Sequence, residues 1–294
     1  MKVLVTGGSG TLAQILTREL LKYGHTVTLV DKRPFTSSTC QTIIADIRNE
    51  SKMMSAMANH DVVVHTAALH GVHKSTNSEL DFLDVNILGT YQVLNAALLS
   101  GVRRVVFASS TSVYGVSRKN MGDVAVYIDE NTEKRPLDIN DLTKVKGELL
   151  CEYFNAKSDM ECISLRIGRF FKGDDWLDYN LTKLYGGIDV NDVAQGIRLA
   201  VEAIGMVDKV FCLASKTRFT KNDLKGLIGN ANEVIEMHYP GAKELFASNG
   251  WELPRNVHRI VDISRAEKQL GFKPVNNFDV FLDELRMEKS VITS

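Results

Sequence analysis

The chain has 294 residues, 35 of them basic and 36 acidic, for a formal net charge of −1. So even a balance leaves no field to hold a polyanion or an anionic bilayer, which disfavours nucleic acid and membrane surfaces as partners. With 44% apolar residues the chain can bury a sizeable interior, as one large α/β unit or two closely joined domains.

The first element is a buried strand at residues 3–6, then a glycine-rich turn and a helix whose apolar Leu12, Ile15, Leu16 and Leu20 recur at helical spacing before Gly24. A strand over 26–30 ends at Asp31. Further strands are expected at 41–45, 61–65, 104–108 and 161–165, separated by helices near 51–58, 80–99 and 141–156. Short β-branched runs alternating with helical periods predict an α/β fold, a doubly wound parallel sheet of six or seven strands. Beyond residue 165 the alternation loosens into a helix at 191–203, a strand at 209–214 and helices near 220–229 and 277–287, which predicts a smaller lobe. Cys40, Cys151, Cys162 and Cys212 are scattered without a C-x-x-C pair, so buried thiols in a reducing, cytoplasmic setting are expected. The apolar run of MKVLVTGG is too short for a signal peptide, and no stretch reads as long enough to span a bilayer, so a soluble protein is expected.

The stretch VTGGSGTLA joins the first strand to the first helix. Gly7 permits a tight turn, Gly10 lets main chain approach a pyrophosphate, and Ala13 is small enough for helix to meet strand. Dinucleotide binding is the reading this context favours. Asp31 stands where a carboxylate accepts hydrogen bonds from an adenosine ribose, which favours NAD; Lys32 and Arg33 suit NADP or a solvated loop equally. Asp46 either meets the adenine edge or caps the helix near Ser51.

Taken with ADI, HTAA, DVNILGTYQVLNAA, VVFASSTSVYG, PLDINDLTKVKGE, LRIGRFF, IDVNDVA and DISRAEKQLGFKP, the chain resembles the extended short-chain dehydrogenase/reductases, the NAD-dependent epimerase/dehydratase family. The resemblance implies a Rossmann domain over 1–165 and, within 166–294, a small C-terminal substrate lobe interleaved with returning sheet elements. It implies coenzyme contacts from Gly7, Gly10, Thr11, Leu12, Asp31, Lys32, Asp46, Ile47, Ala67 and Lys144. It also implies that Ser110 bonds the substrate's reacting oxygen, that Lys144 binds the nicotinamide ribose, and that the protein is a homodimer through the helices beginning near Leu80 and Asp141.

The family's catalytic tyrosine falls on Asn140, pinned between Pro136 and the Lys144, Gly147, Glu148 set. In such enzymes hydride leaves a carbinol carbon while tyrosinate takes the hydroxyl proton; a carboxamide has no proton to exchange and cannot be that base. Three routes remain open. Another group takes the proton, from among Tyr114, His70, His73, Tyr127 and Lys144; or a water held by Asn140 and Ser110 relays it; or redox chemistry is abandoned and NAD kept as a structural or sensing ligand. His70 and His73 read as a hydrogen-bonded loop or as substrate contacts; a metal there lacks a third ligand in the sequence. Asn86 reads as a helix residue bonded to neighbouring backbone.

Only sixteen residues separate LRIGRFF from IDVNDVA, whereas family members acting on nucleotide-linked sugars carry a long insert there, so the resemblance implies that the usual nucleotide clamp is absent. The compact plan resembles uronate dehydrogenases and related short members acting on small polar molecules. Arg166, Arg169 and Lys172 are candidates to grip a carboxylate or phosphate, or to pair with Asp174, Asp175 and Asp178; Trp176 and Tyr179 either wall the pocket or pack. The expected activity is that of an NAD(P)-dependent oxidoreductase or epimerase-like enzyme on a small sugar-like, hydroxy or carbonyl substrate. Its rivals are a silent NAD-binding sensor or interaction protein and a non-redox lyase holding NAD tightly.

Overall fold

The computed structural model describes residues 1–115, 122–170 and 175–292. Lys172 and Asp174 therefore lie outside the described residues. The first half runs β1 (Lys2–Thr6), α1 (Thr11–Lys22), β2 (Thr26–Asp31), β3 (Gln41–Ile44), α2 (Glu50–Met57), β4 (Val62–His65), α3 (Glu79–Leu83), α4 (Gly89–Leu99) and β5 (Arg104–Ser110). It continues with β6 (Val126–Ile128), α5 (Ile139–Lys157), β7 (Glu161–Ile167), α6 (Trp176–Thr182), α7 (Val190–Glu202) and β8 (Val210–Leu213). The chain ends with α8 (Ala231–His238), α9 (Ala242–Ser248), β9 (Arg259–Val261), α10 (Ser264–Leu270) and α11 (Phe278–Ile292).

Seven strands form one parallel sheet in the order β3-β2-β1-β4-β5-β7-β8. Helices on both faces bury the central strand β4 completely, which is why it reads as the unbroken run VVVH and not as an alternation. The strand order reverses between β1 and β4, and at such a switch point the loops leaving the carboxyl ends diverge to open a crevice. One apolar cluster joins α1 and α7 to one face of the sheet; a second joins α2, α4 and α5 to the other. A third cluster lies among α6, α8, α9 and α11, where Tyr239, Phe246, Phe278 and Phe281 meet edge to face or tilted.

The lobe departs from the sequence expectation. No helix fills 220–229; a single 3-10 turn at Lys221–Asp223, closed by a Thr220–Asp223 capping box, is followed by turns up to Gly229 in the left-handed region at φ 84°. Helices α6, α8, α9 and α10 and the two-stranded parallel sheet β6–β9 were not expected, because elements of three to eight residues carry too little periodicity to read.

The helix expected at 80–99 forms, with one irregularity: α3 and α4 are joined by a π-turn at Asp84–Leu88. The extra residue turns Asn86 inward. Its Nδ2 donates to Leu69 O (2.9 Å) and to Thr143 Oγ1 (3.0 Å), and its Oδ1 accepts from Leu69 N (2.7 Å). Asn86 thus ties the loop after β4 to α5 and is more than a residue bonded to its own helix. The whole run Glu79–Leu99 also has the length and hydropathy of a membrane span, 21 residues at a mean of 1.2, correcting the expectation that no stretch does. Here its apolar side covers the sheet, with Phe82, Val93 and Ala97 fully buried, as in a core helix of an α/β domain.

Candidate active site

A cleft of about 760 Å³ opens at the switch point. At one end it is lined by main chain. Gly7 adopts φ +74°, and a Cβ there would stand 3.0 Å from the Ala67 backbone, so only glycine fits the turn unstrained. Gly10 begins α1 with no side-chain cap and no acidic residue in the first turn, leaving the helix N-terminus and its positive partial charge to the cleft. These features, with Thr11 and Leu12 beside them, fit a pyrophosphate.

Asp31 closes β2 and lines the same end. Its Oδ2 accepts from Ser9 N (3.1 Å) and Ser9 Oγ (2.6 Å), and its Oδ1 from Arg33 N (2.9 Å). Burial pushes this carboxyl upward, but the hydrogen bonds from Arg33 and Ser9 outweigh it and hold the pKa below the usual value. Lys32, Ile47 and Ala67 complete the wall with Asp46. Asp46 does not cap α2: Asn49 does, accepting from Lys52 N at 3.0 Å. Asp46 instead holds Arg48 through two oxygens, at 2.9 and 2.6 Å, and that hydrogen bonding lowers its pKa.

The other end is built of side chains. Ser110 closes β5, and its Oγ accepts from Ser112 N (3.1 Å). Helix α5 starts where Asp138 caps Asp141 N (2.9 Å), and it can lie close on β5 because residue 147 is glycine; a Cβ there would run into the Phe107 ring. Asn140 and Lys144, one turn apart, face the cleft together. Lys144 Nζ donates to Ala108 O (2.7 Å) and stands 5.1 Å over the Phe107 ring. Burial pulls its pKa down to about 8, with Glu148 opposing. Asn140 Oδ1 is buried and has no hydrogen-bond partner among the described residues.

His70 and His73 line the cleft from the loop held by Asn86, His73 Nδ1 accepting from His70 N at 2.9 Å. Burial first, then the charges of Lys144 and His73, take His70 down to about 3. Beneath them His65, unnoticed in HTAA except as part of a motif, is a buried strut between Thr6 Oγ1 (2.8 Å) and Thr90 Oγ1 (3.0 Å); burial lowers its pKa to about 3 as well.

Several candidates lie elsewhere. Tyr114 is buried away from the cleft, its hydroxyl held by Cys212 Sγ (3.1 Å) and Arg166 Nη1 (2.8 Å), and burial drives its pKa far upward. It is a packing residue. Arg166 cannot grip a substrate, because it is committed to Glu148 through Nε–Oε1 (2.9 Å) and Nη2–Oε2 (2.8 Å) in the interior. Tyr127, on β6, has its pKa raised by burial and by Asp262, while Lys221 covers its ring at 4.3 Å. Arg169 does line the cleft, and it pairs there with Asp178 (2.8 Å). Trp176 stacks edge-on against Phe281 in the lobe, and buried Tyr179 donates to Asp189 (3.1 Å). Sequence reading missed Asn77, Phe170 and Arg259 in the cleft wall; the only signal for Arg259 was the short run RIV, which becomes β9.

A nucleotide-binding turn and a Ser110–Lys144 pair converging on one crevice define the dehydrogenase-like class of Rossmann protein. The chain belongs to the NAD dependent epimerase/dehydratase family, whose model matches residues 3–171. It is 30% identical to an L-arabinose 1-dehydrogenase (NAD(P)(+)) of Haloferax volcanii over 69% of this chain and 83% of that one. It is 26% identical to a uronate dehydrogenase of Pseudomonas putida over 74% of this chain and 77% of that one. Among solved structures it shares its fold with an NAD-bound short-chain dehydrogenase/reductase superfamily protein from Agrobacterium tumefaciens, at a TM-score of 0.71 and 20% identity, covering 100% of this chain and 99% of that one. MoeE5 in complex with UDP-glucose and NAD is equally similar in fold, at 0.71 and 24% identity, covering 99% and 100%.

Proposed function

We propose that this protein is an NAD-dependent oxidoreductase acting on a free sugar, sugar acid or similar small polyhydroxylated substrate. Residues 1–165 carry the coenzyme, and the lobe within 166–294 closes the substrate end. Thr11, Leu12 and the α1 N-terminus hold the pyrophosphate, Asp31 and Lys32 meet the adenosine ribose, Asp46 and Ile47 flank the adenine, and Lys144 reaches the nicotinamide ribose. NAD, when bound, supplies the hydride acceptor. Ser110 donates a hydrogen bond to the reacting oxygen, Asn140 Oδ1, buried and without a partner among the described residues, accepts from a substrate hydroxyl, and His70, His73 and Arg169 contact the rest of the substrate. The relatives named for arabinose and uronate suggest substrates without a nucleotide.

The observation that carries this reading is the single cleft in which the Gly7–Gly10 turn and the Ser110, Asn140, Lys144 set meet. Titration calorimetry with NAD and NADP tests the first half, and a panel of pentoses, hexoses, uronates and hydroxy acids followed by nicotinamide absorbance tests the second. Micromolar NAD binding with turnover of a panel member is expected; no heat with either coenzyme overturns the reading. One observation favours a rival: with Asn140 replacing tyrosine, NAD binding without any turnover would mark a sensor or interaction protein. The exposed Leu80, Leu88, Tyr91, Leu149 and Tyr153 on α3, the π-turn, α4 and α5 suit a homodimer, which sedimentation checks, and the four free thiols suit a reducing cytoplasm.

A further inference from the structure

The family's chemistry needs a group to take the hydroxyl proton, and Asn140 cannot. We propose that Lys144 does so itself: its side-chain amine, neutral in the working enzyme, accepts the proton of the substrate hydroxyl at the position the family gives to tyrosine. This rests on the proposed function above.

The argument is first one of elimination among the groups near Ser110. Tyr114 is held between Cys212 and Arg166 in the interior. Asp141, the next residue after Asn140, turns its carboxylate back to Leu137 N (3.3 Å) and does not line the cleft. His73 spends Nδ1 as the acceptor of the His70 N–H, which leaves its ring hydrogen to Nε2 and presents a donor there. His70 is in the cleft, but its burial, the first cause that lowers it, makes it a weaker base than an amine at about 8, and proton transfer favours the group poised nearer neutrality. Ser110 is an alcohol that already accepts from Ser112 N (3.1 Å).

The surroundings of Lys144 then supply the positive case. Its amine is buried and, among the described residues, has one backbone acceptor, Ala108 O at 2.7 Å, and no carboxylate bonded to it. The charged and titratable groups around it are Glu148 on α5, Arg166 on β7, His65 on β4 and His70 on the loop. Of these, Glu148 alone could stabilise an ammonium, and it is already spent: Arg166 takes both its oxygens, Ser109 Oγ donates to it (2.6 Å) and Lys134 lies 3.3 Å away. His65 and His70 are neutral and the Phe107 ring at 5.1 Å offers only a weak cation contact. A buried amine with so little compensation loses its proton readily, and a neutral amine can donate to Ala108 O while turning its lone pair to the cleft.

The step balances. The substrate O–H proton passes to the Lys144 amine, giving an ammonium; the carbinol C–H breaks with its electron pair, which leaves as hydride to NAD; and the C–O bond becomes a carbonyl. The alcohol is oxidised and NAD reduced by two electrons, and Lys144 later returns its proton to solvent. In the reverse direction the ammonium is the acid.

The decisive test needs neither coenzyme nor substrate. In cofactor-free protein labelled with 13C and 15N at lysine, the Cε and Nζ resonances are followed from pH 6 to 11, with Lys144→Met assigning the signal. One lysine titrating with a midpoint near 8 and vanishing in Lys144→Met is expected; Lys144 still protonated at pH 10 overturns the proposal. Should Lys144→Met fail to fold, Lys144→Gln gives the assignment. In turnover, kcat for alcohol oxidation should rise about tenfold per pH unit below that midpoint and level off above it, and a flat profile between pH 6 and 9 would refute the role. The two readings fail separately: loss of NAD binding in calorimetry sinks the proposed function, whereas NAD binding together with a Lys144 that titrates above 10 sinks only this inference.

Discussion

At the coenzyme end of the cleft Gly7 and Gly10 present main chain and a helix terminus, whereas at the substrate end Ser110, Asn140, Lys144 and Arg169 present side chains on β5, α5 and the loop after β7. The first kind of surface depends on backbone conformation, which a few glycines specify. The second depends on the chemistry of each residue, which a single side chain such as Asn140 can change without disturbing the fold. Binding and chemistry are therefore separable here, and substitutions can pull them apart.

The largest effect is expected below the substrate end. Glu148→Gln leaves Arg166 as a buried cation short of its partner and should cost about 3 to 5 kcal/mol in urea unfolding; a change under 1 kcal/mol would mean the pair carries no structural weight. Ser110→Ala should lower turnover about 100- to 1,000-fold while NAD affinity in calorimetry stays within a few fold. Equal loss of both would erase the distinction between the two ends. Stability should also fall as pH drops from 6.5 toward 3, by up to about 1.4 kcal/mol per unit from His65 alone. The unfolded chain takes a proton there near 6.5 while the folded one holds it off to about 3, so the unfolded state binds more protons in that window. His65→Gln should flatten this slope in acid-denaturation curves. Asn140→Tyr should raise oxidation rates about tenfold at neutral pH, where Lys144 is only partly neutral, by adding a second acid–base group beside it; no gain would mean the pocket has no room for the tyrosine. The smallest expected change is at the other end: Gly7→Ala should weaken NAD about tenfold, through strain at φ +74° and crowding of Ala67, without altering the pH profile of what turnover remains.

The sheet and its turn were legible because their signals are local. Val3 to Thr6, the glycines after it and the apolar spacing of α1 lie within a few residues of one another, and parallel strands buried on both faces read as plain apolar runs. That Asn140 shares a site with Lys144 was legible too, since one helical turn separates them and both line the cleft. Other assignments were not. Arg166 and Arg169 look alike in LRIGRFF, yet β7 turns one into the interior onto Glu148 and leaves the other at the cleft with Asp178. The lobe's short helices and the three-residue strands β6 and β9 form because they bury one another, so no single segment announces them.

Neighbouring residues and their periodicity carried the family, the parallel sheet and the glycine turn that opens α1. Tertiary packing settled the rest: Tyr114 and Arg166 are interior struts, Asn86 clamps the histidine loop through a π-turn, and Lys144 lies buried with no carboxylate bonded to it among the described residues. Those outcomes depend on which polar groups meet after the chain has closed on itself, where burial sets how firmly each proton is held.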